Sequence, residues 1–416
     1  MTTDTVVYYN LRNDPVEHTP ALTAARDLGL RVVLVAGPQC PAPPPGLVDR
    51  VHAMAAPFGP AAVEQGVRLA AEAGARGIVT WSDTDVVTIA EIAGRLGLPG
   101  PTVAAARLAR DKHAGRAAMA AAAPDRIPRF HPVRTPQDVA DAWDAIGPGG
   151  VLKPASGAGS AGVVRIGTRA EADAVAARLF GFARTQTHPL FADAPGELLY
   201  EEYLQGPEYS VEGFVSGGGV HLAAVTDKTT DTASFLEVQH EQPTALDAAA
   251  VRDVEALTAN VVAAFGLDDC TFHLECKVSG GRSRLVEIAA RTGGDYIGSH
   301  LVPAVTGTSF YGNVLRVATG RPPLPAEPAA GRYAAVTRIV APRAGVYGGT
   351  PGLGKVRERP DVEFAVEHRP PGTRVAVPPD DYAGALLSTA LLVAPGRGEL
   401  RDAVAEVREL LAPDLR

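Results

Sequence analysis

Lysine is scarce in this 416-residue chain: of 39 basic side chains only five are lysine, Lys112, Lys153, Lys228, Lys277 and Lys355. Arginine therefore supplies the ordinary surface charge. The lysines that remain are candidates for a task that a planar guanidinium performs poorly, such as fitting a compact ammonium between phosphate oxygens. Cysteine is scarce too. Cys40, Cys270 and Cys276 are odd in number and spaced like neither a disulfide framework nor a zinc site, and Cys276 reads as a small core residue. No run of about 18 apolar residues occurs, and the opening Met-Thr-Thr-Asp does not begin a basic stretch followed by an apolar one. The expectation is a cytoplasmic protein without a membrane partner. A net charge of -8 and a pI near 5.7 argue against general binding of a phosphate backbone, so no nucleic acid partner is expected. What the chain does have is 46% hydrophobic content with 21% charge, enough for a sizeable core. Its length suggests two or three domains at roughly 150 residues each. Disorder, collagen and coiled coil are excluded as descriptions of the whole.

The first hundred residues alternate short β-branched runs with helical stretches. Strands are predicted at 6–9, 32–36 and 78–80 and helices near 19–28 and 61–73, a βαβ rhythm that gives a small parallel sheet. The turn after the first strand, Asn10 to Pro15, lacks the glycines that bring backbone close to a pyrophosphate, so the shape is Rossmann-like without a dinucleotide site. The proline run 41–45 reads as a stiff loop. An Ala-rich helix over 102–123 carries Lys112 and ends before Pro124 and Pro128. Beyond it the pattern changes to hairpins. Strands are expected at 150–153, 163–166, 198–203, 208–215, 220–226, 271–278 and 284–289, with helices near 169–182 and 248–265. After the prolines at 322–328, a strand at 333–340 opens a smaller unit that closes with a helix over 401–411. No internal repeat is present.

Residues 151–164 contain a literal GxGxxG at Gly157, Gly159 and Gly162, a weak pattern by itself. A dinucleotide fingerprint needs a helix at the last glycine, whereas Val163-Val164-Arg165-Ile166 is strand-like, so the loop tips a hairpin. No Lys-Ser or Lys-Thr follows at Walker A spacing. What remains is a glycine flap whose backbone N–H groups can cover phosphates, with Lys153 on the strand entering it. In 271–277 the alternation places Phe272, Leu274 and Cys276 on one face and His273, Glu275 and Lys277 on the other. Glu287 occupies an equivalent place in the next run. If the connecting loop is odd in length, for example the five residues 279–283, Glu275 and Glu287 oppose each other on one face. Such a pair repels by a few tenths to about 1 kcal/mol unless a cation lies between them, and hard oxygen ligands suit Mg²⁺ shared with phosphates. Arg291, four residues after Glu287, leaves that strand into Gly293-Gly294, where it can hold a developing phosphate or oxyanion.

Together these residues resemble the ATP-grasp superfamily of carboxylate ligases, strongly over residues 81–320 and by general layout elsewhere. The fold class implied is mixed α/β and α+β: an N-terminal Rossmann-like domain (1–100), an ATP-grasp domain (101–320) whose antiparallel catalytic sheet carries a glycine-flap subdomain (about 125–203), and a C-terminal subdomain (321–416). Asp111-Lys112 with Arg116 looks like the family's first phosphate lysine, and Lys153-Pro154 is similar to its second. The flap residues Ser156, Gly157, Gly159, Ser160 and Gly162 would cover the phosphates. The segment 199–208 resembles the strand where adenine sits, so Glu201 would accept from the adenine amino group, backbone near Glu202 and Leu204 would read the ring edge, and Glu208 would hold the ribose. Glu275 and Glu287 match the two metal-binding acids for Mg²⁺, with Mn²⁺ as the alternative. Many members carry Asn two residues after the second acid, where this chain has Ala289. Trp81-Ser82-Asp83 has aspartate near where relatives often carry glutamate.

The run Glu287 to Gly294 looks most like the L-amino acid ligases of the bacilysin-synthetase type. Residues 228–243 are similar to their acceptor-side loop, which nominates Lys228, Glu237, His240, Gly293 and Gly294 as substrate contacts, with Arg291 and His240 as catalytic candidates. The resemblance implies an ATP-dependent ligase that joins a small carboxylate to an amine, typically amino acids, through an acyl phosphate, and it implies a homodimer. Two alternatives stay open. One is a purine-pathway or biotin-carboxylase-like enzyme using formate or bicarbonate; the other is a catalytically silent ATP-binding subunit.

Overall fold

A computed structural model describes residues 4–185, 196–232, 234–378 and 380–416, so the opening Met-Thr-Thr and part of the segment assigned to the flap subdomain lie outside the described residues. The N-terminal sheet is parallel throughout, in the order Arg50–Ala53, Arg31–Ala36, Thr5–Tyr9, Ala75–Thr80. Its central strand is buried along its whole length, as a parallel strand covered on both faces must be. Alternation decides which core each residue enters: Val6 and Tyr8 pack with Leu22, Leu34 and Tyr311, while Val7 and Tyr9 pack with Val63 and Ile92. The first helix, Pro15–Asp27, begins earlier than the hydrophobic pattern suggests, because Asp14 caps it by accepting from Val16 N and proline is well suited to the first helical position.

The single helix expected over 102–123 is two helices, Val103–Arg110 and Lys112–Ala122. Asp111 divides them. Its backbone is extended and its carboxylate accepts from His113 N and Ala114 N, so the sequence restarts the helix there and puts Lys112 at its first position. A four-stranded antiparallel sheet follows, in the order Phe130–Val133, Leu198–Glu201, Val151–Pro154, Val164–Arg165, packed against helices Pro136–Ile146 and Arg169–Thr185. The last two strands form the hairpin whose connection is the glycine flap.

The largest sheet has eight strands, in the order Arg282–Ala289, Cys270–Ser279, Glu208–Ser216, Gly219–Thr230, Glu237–Gln242, Tyr333–Val340, Leu386–Ala394, Val362–Glu367. The polar strand Glu237–Gln242 falls within the segment read from sequence as a loop. It forms because both neighbours pair with it, His240 standing opposite Lys228 on one side and Val336 on the other. Through that pairing the C-terminal residues extend the same sheet. Helix Ala248–Phe265 packs under the sheet, helix Arg397–Leu410 covers the C-terminal strands, and no described helix is long and apolar enough to cross a membrane.

The strand pair that carries the two acids corrects the expected loop but keeps its consequence. Only Gly280 and Gly281 connect the strands, with φ of +58° and +73°, the left-handed pair that a two-residue hairpin turn requires. A two-residue turn would set Glu275 opposite Val286. A bulge between Glu275 and Cys276 shifts the register by one, and Glu275 stands opposite Glu287. The backbone carbonyl of the extra residue, Val286, accepts from Arg116 Nη2 at 2.6 Å.

Candidate active site

A cavity of about 860 Å³ lies between the flap hairpin and the eight-stranded sheet, and both phosphate-lysine candidates face it. Lys112 Nζ sits 3.2 Å from Glu287 Oε2 and donates to the Gly157 carbonyl at 3.3 Å. Lys153 Nζ lies 2.5 Å from Glu201 Oε2, whose other oxygen takes Arg116 Nε at 2.6 Å. Burial lowers the Lys153 pKa, and although Glu201 opposes that shift, the cations Arg116 and Lys112 add to it. For Glu201 burial works the other way and is outweighed by its two cations, so it stays ionised. This corrects the adenine assignment: both Glu201 oxygens are engaged, and its carboxylate aims Lys153 instead of meeting a base. The Glu202 N–H donates to the Arg129 carbonyl at 2.9 Å and its carboxylate accepts from Arg284, which leaves its carbonyl as the backbone group for the expected ring-edge contact. Leu204 lines the cavity with no backbone partner for its N–H among the described residues.

Gly157, Gly159, Ser160 and Gly162 all line the cavity; Ser156 does not, being buried with an unpartnered hydroxyl. Gly162 is at φ +79°, and a Cβ there would stand 3.0 Å from the Pro154 ring. Ser160 reaches across the cavity to donate to the Phe235 carbonyl at 3.0 Å.

Glu275 and Glu287 each have one oxygen committed and one free. Lys228 Nζ at 2.8 Å and His273 Nε2 at 3.2 Å both use Glu275 Oε1, and Lys112 uses Glu287 Oε2. Glu275 Oε2 and Glu287 Oε1 have no partner among the described residues. Among those residues no group of three ligand side chains could hold an ion unaided. The opposed pair therefore fits a hard cation whose other ligands come from phosphate oxygens and water. The apolar Ala289, buried opposite His273, adds nothing to that set.

Lys228 is a charge hub, not a substrate contact. Its ammonium lies 2.9, 3.1 and 2.8 Å from Glu208, Glu237 and Glu275. Burial alone would discharge it, but the three carboxylates overcome burial and raise its pKa well above the ordinary lysine value. Glu237 divides its oxygens between Lys228 and Arg338, so its expected role changes accordingly. Glu208 lines the cavity and holds Lys228 through Oε1, while its Oε2 lies 3.8 Å from Lys277, beyond hydrogen-bond reach, and stays open for the expected ribose contact.

Arg291 enters the cavity held from behind. It pairs with Asp83, which Arg110 also approaches at 3.5 Å, and its Nη1 donates to the Thr292 carbonyl at 2.6 Å. Burial opposes ionisation of Asp83, yet the two arginines bring its pKa down to about 2. Arg12, from the turn that lacks phosphate-binding glycines, donates to the carbonyls of Thr292 and Gly293 at 3.1 and 2.7 Å. That turn shapes the loop after Arg291. Gly293 is likewise structural, since its N–H donates to Glu212 at 3.1 Å and a Cβ would stand 2.4 Å from the same carboxylate; Gly294 does line the cavity. His240 is corrected as well. Its Nε2 contacts Asp295 at 3.3 Å and its Nδ1 is buried without a partner, so neither ring nitrogen is presented to a substrate.

Sequence reasoning missed Arg12, Glu212, Asp295 and Arg338 as parts of this site, and it noted Asp83 without its pairing to Arg291. His273 was half visible. It shares a face with Glu275 by alternation, and it bridges that acid to the fully buried Glu212, a double contact that brings its pKa up to about 10 against the effect of burial.

Comparison with known proteins agrees with this architecture. A model of the ATP-grasp domain matches residues 148–300, and a model of the ATP-grasp N-terminal domain matches 22–100. Alanine–anticapsin ligase of Bacillus subtilis is 32% identical over 257 residues, covering 58% of this chain and 53% of that protein. Carnosine synthase 1 of Gallus gallus is 32% identical over 311 residues, covering 68% of this chain and 32% of the other. The chain thus spans about half the length of the alanine–anticapsin ligases it matches. The crystal structure of L-amino acid ligase from Bacillus licheniformis superposes with a TM-score of 0.87 at 20% identity over the whole of both chains. Phosphoribosylglycinamide synthetase from Anaerococcus prevotii gives 0.72 at 14%, again over both whole chains.

Proposed function

From the premise that this chain belongs to the ATP-grasp superfamily, we propose that it is an ATP-dependent carboxylate–amine ligase that forms an amide or dipeptide bond. The observation that carries the reading is the convergence, in one cavity under a glycine flap, of Lys112, Lys153 and the two free oxygens of an opposed glutamate pair. A carboxylate is a poor acyl donor because its leaving group would be oxide. Transfer of the γ-phosphoryl group onto a carboxylate oxygen breaks the bond to ADP and creates a leaving group. An amine then attacks the acyl carbon, loses a proton, and expels inorganic phosphate.

The chain's part is positioning and charge neutralisation. Lys112 and Lys153 hold the phosphates, and binding suits Lys153 because it shares its one carboxylate partner with Arg116. The flap from Gly157 to Gly162 excludes water. Arg291, aimed by Asp83, faces the phosphate oxygens and the oxyanion of the second step. Glu275 and Glu287 would hold Mg²⁺, or Mn²⁺ in its place, which when bound neutralises phosphate charge. Leu204 N–H is the backbone donor left for the adenine edge. We further read the chain as a cytoplasmic homodimer acting on amino acids, divided at about residues 100 and 320 with the flap subdomain near 125–203. The test is a screen of ADP release over pairs of amino acids and small carboxylates, with mass spectrometry of the product. Amide formation with ADP is expected; ADP release driven by bicarbonate alone, or no release with any pair, sinks the reading.

A further inference from the structure

The N-terminal sheet has the layout of a ligand-binding sheet. From its central strand Thr5–Tyr9 the chain moves outward to Arg31–Ala36 on one side and comes back to Ala75–Thr80 on the other. The helices change face with it: Pro15–Asp27 packs through Leu22 with Val6 and Tyr8, and Pro60–Glu72 packs through Val63 with Val7 and Tyr9. Open parallel sheets take their ligands in the crevice outside the carboxyl ends of two such strands. Here the two lips of that crevice are the turns after Tyr9 and after Thr80, and both lack glycine.

The groups on these lips hold the chain's own loop 291–296. From the first lip, Arg12 Nη2 meets the Thr292 carbonyl and hydroxyl, both at 3.1 Å, and the Gly293 carbonyl at 2.7 Å. Just beyond it, Glu17 accepts from Tyr296 N–H at 3.0 Å and Asp14 accepts from the Tyr296 hydroxyl. From the second lip, Asp83 pairs with Arg291. Thr292 is fully buried. Asp295 and Tyr296 hold left-handed backbone, φ +56° and +63°, a conformation that non-glycine residues keep only where neighbours enforce it. One oxygen links the two lips. The Thr292 carbonyl that accepts from Arg12 also accepts from Arg291 Nη1 at 2.6 Å, and a carbonyl has two lone pairs with which to do so.

We infer that Arg12 is a positioning residue for the reaction: it fixes the Thr292 carbonyl, and through that oxygen it aims the Arg291 guanidinium at the place where charge develops. The inference rests on the ligase reading above and assigns the N-terminal sheet a part in turnover, with a protein loop where such a sheet would otherwise take a ligand. The test is a double-mutant cycle on ADP release, with ATP and the most active carboxylate and amine from the screen above. Arg12→Lys keeps the positive charge near Glu17, 3.7 Å away in the wild type, and so keeps the fold, but its side chain is shorter and has no fork to reach the loop. It is expected to lower kcat about tenfold with KM for ATP unchanged, and Arg12→Gln about 10²-fold, the scale of a small misplacement of a catalytic group. In an Arg291→Lys background, which loses the fork that meets Thr292, either change should cost less than about twofold, because residues that act as one unit are not additive. A merely structural role lowers the rate by the same factor in both backgrounds and moves the urea midpoint with it. Equal factors in the two backgrounds, or a wild-type kcat in Arg12→Lys, overturns the proposal while leaving a ligase. No ADP release from any pair in the wild type overturns the ligase reading itself.

Discussion

Lys153 and Lys228 are both buried, both on strands, and both on the wall of one cavity, yet their surroundings are electrically opposite. Around Lys153 two cations share one carboxylate, and its pKa falls because burial and its cationic neighbours outweigh Glu201. Around Lys228 three carboxylates share one ammonium, and its pKa rises in spite of burial. The first region is short of anions, as the phosphate contact proposed for Lys153 requires. The second is complete without any ligand. Scarcity in the sequence singled out both lysines, but only their neighbours separate one left short of anions from one whose charge is already met.

The largest effect expected from breaking this contrast is on stability. Lys228→Met leaves Glu208, Glu237 and Glu275 facing one another, and removing one partner of a buried ion network costs about 3–5 kcal/mol. Urea unfolding should show that loss, with no comparable loss in Lys153→Met. The converse holds for activity. Lys153→Met should cut the rate of ADP release by about 10²–10³-fold, the magnitude seen when one preorganised donor to a developing charge is removed. Lys153→Arg should not restore it, because a planar fork does not replace a point charge. If Lys153→Met proves the more destabilising of the two, the contrast fails.

The same logic applies to two neighbouring acids in the turn after Trp81. Asp83 faces Arg291 and Arg110 and its pKa falls to about 2, whereas burial raises Asp85 to about 6 because only the neutral donors Asn10, Thr80 and Thr84 oppose it. A carboxyl whose folded pKa exceeds its unfolded value of about 3.9 contributes stability that is full below about pH 4 and lost as pH rises through 6. The loss amounts to up to about 3 kcal/mol, at 1.36 kcal/mol per unit. Asp85→Asn should flatten the wild-type decline between pH 4 and 7. Asp83→Asn should leave that window alone and remove stability that is present above about pH 3.9 and lost as pH falls through 2. Urea denaturation across pH reads both; a decline that survives in Asp85→Asn would show that the titrating group lies elsewhere.

Local signals carried much of this site. Lys112, Lys153 and the flap glycines were legible because each sits in a short motif whose spacing has a mechanical meaning, and the hairpin at 157–162 followed from β-branched residues after the last glycine. Glu275 and Glu287 were legible as a pair, although the predicted five-residue loop was replaced by a two-residue turn plus a bulge, two changes of parity that cancel. The helix break at Asp111 could have been read, since an acid with two following N–H groups within reach is an N-cap signal. The ion pairs could not. Arg291 meets Asp83 and Arg338 meets Asp295 only after three segments far apart in the chain have packed together. Spacing along one sequence carries no record of such partners, so Glu201 and Glu237 looked free for ligands when their carboxylates were already paired.

The acyl-phosphate route proposed for this chain moves a carboxylate oxygen into the released phosphate during turnover. Carboxylate donor labelled with ¹⁸O at both oxygens, turned over with ATP and an amine, tests it by mass spectrometry of the released phosphate. One labelled oxygen per inorganic phosphate is the predicted result; unlabelled phosphate released with ADP, or AMP and pyrophosphate in its place, would contradict it.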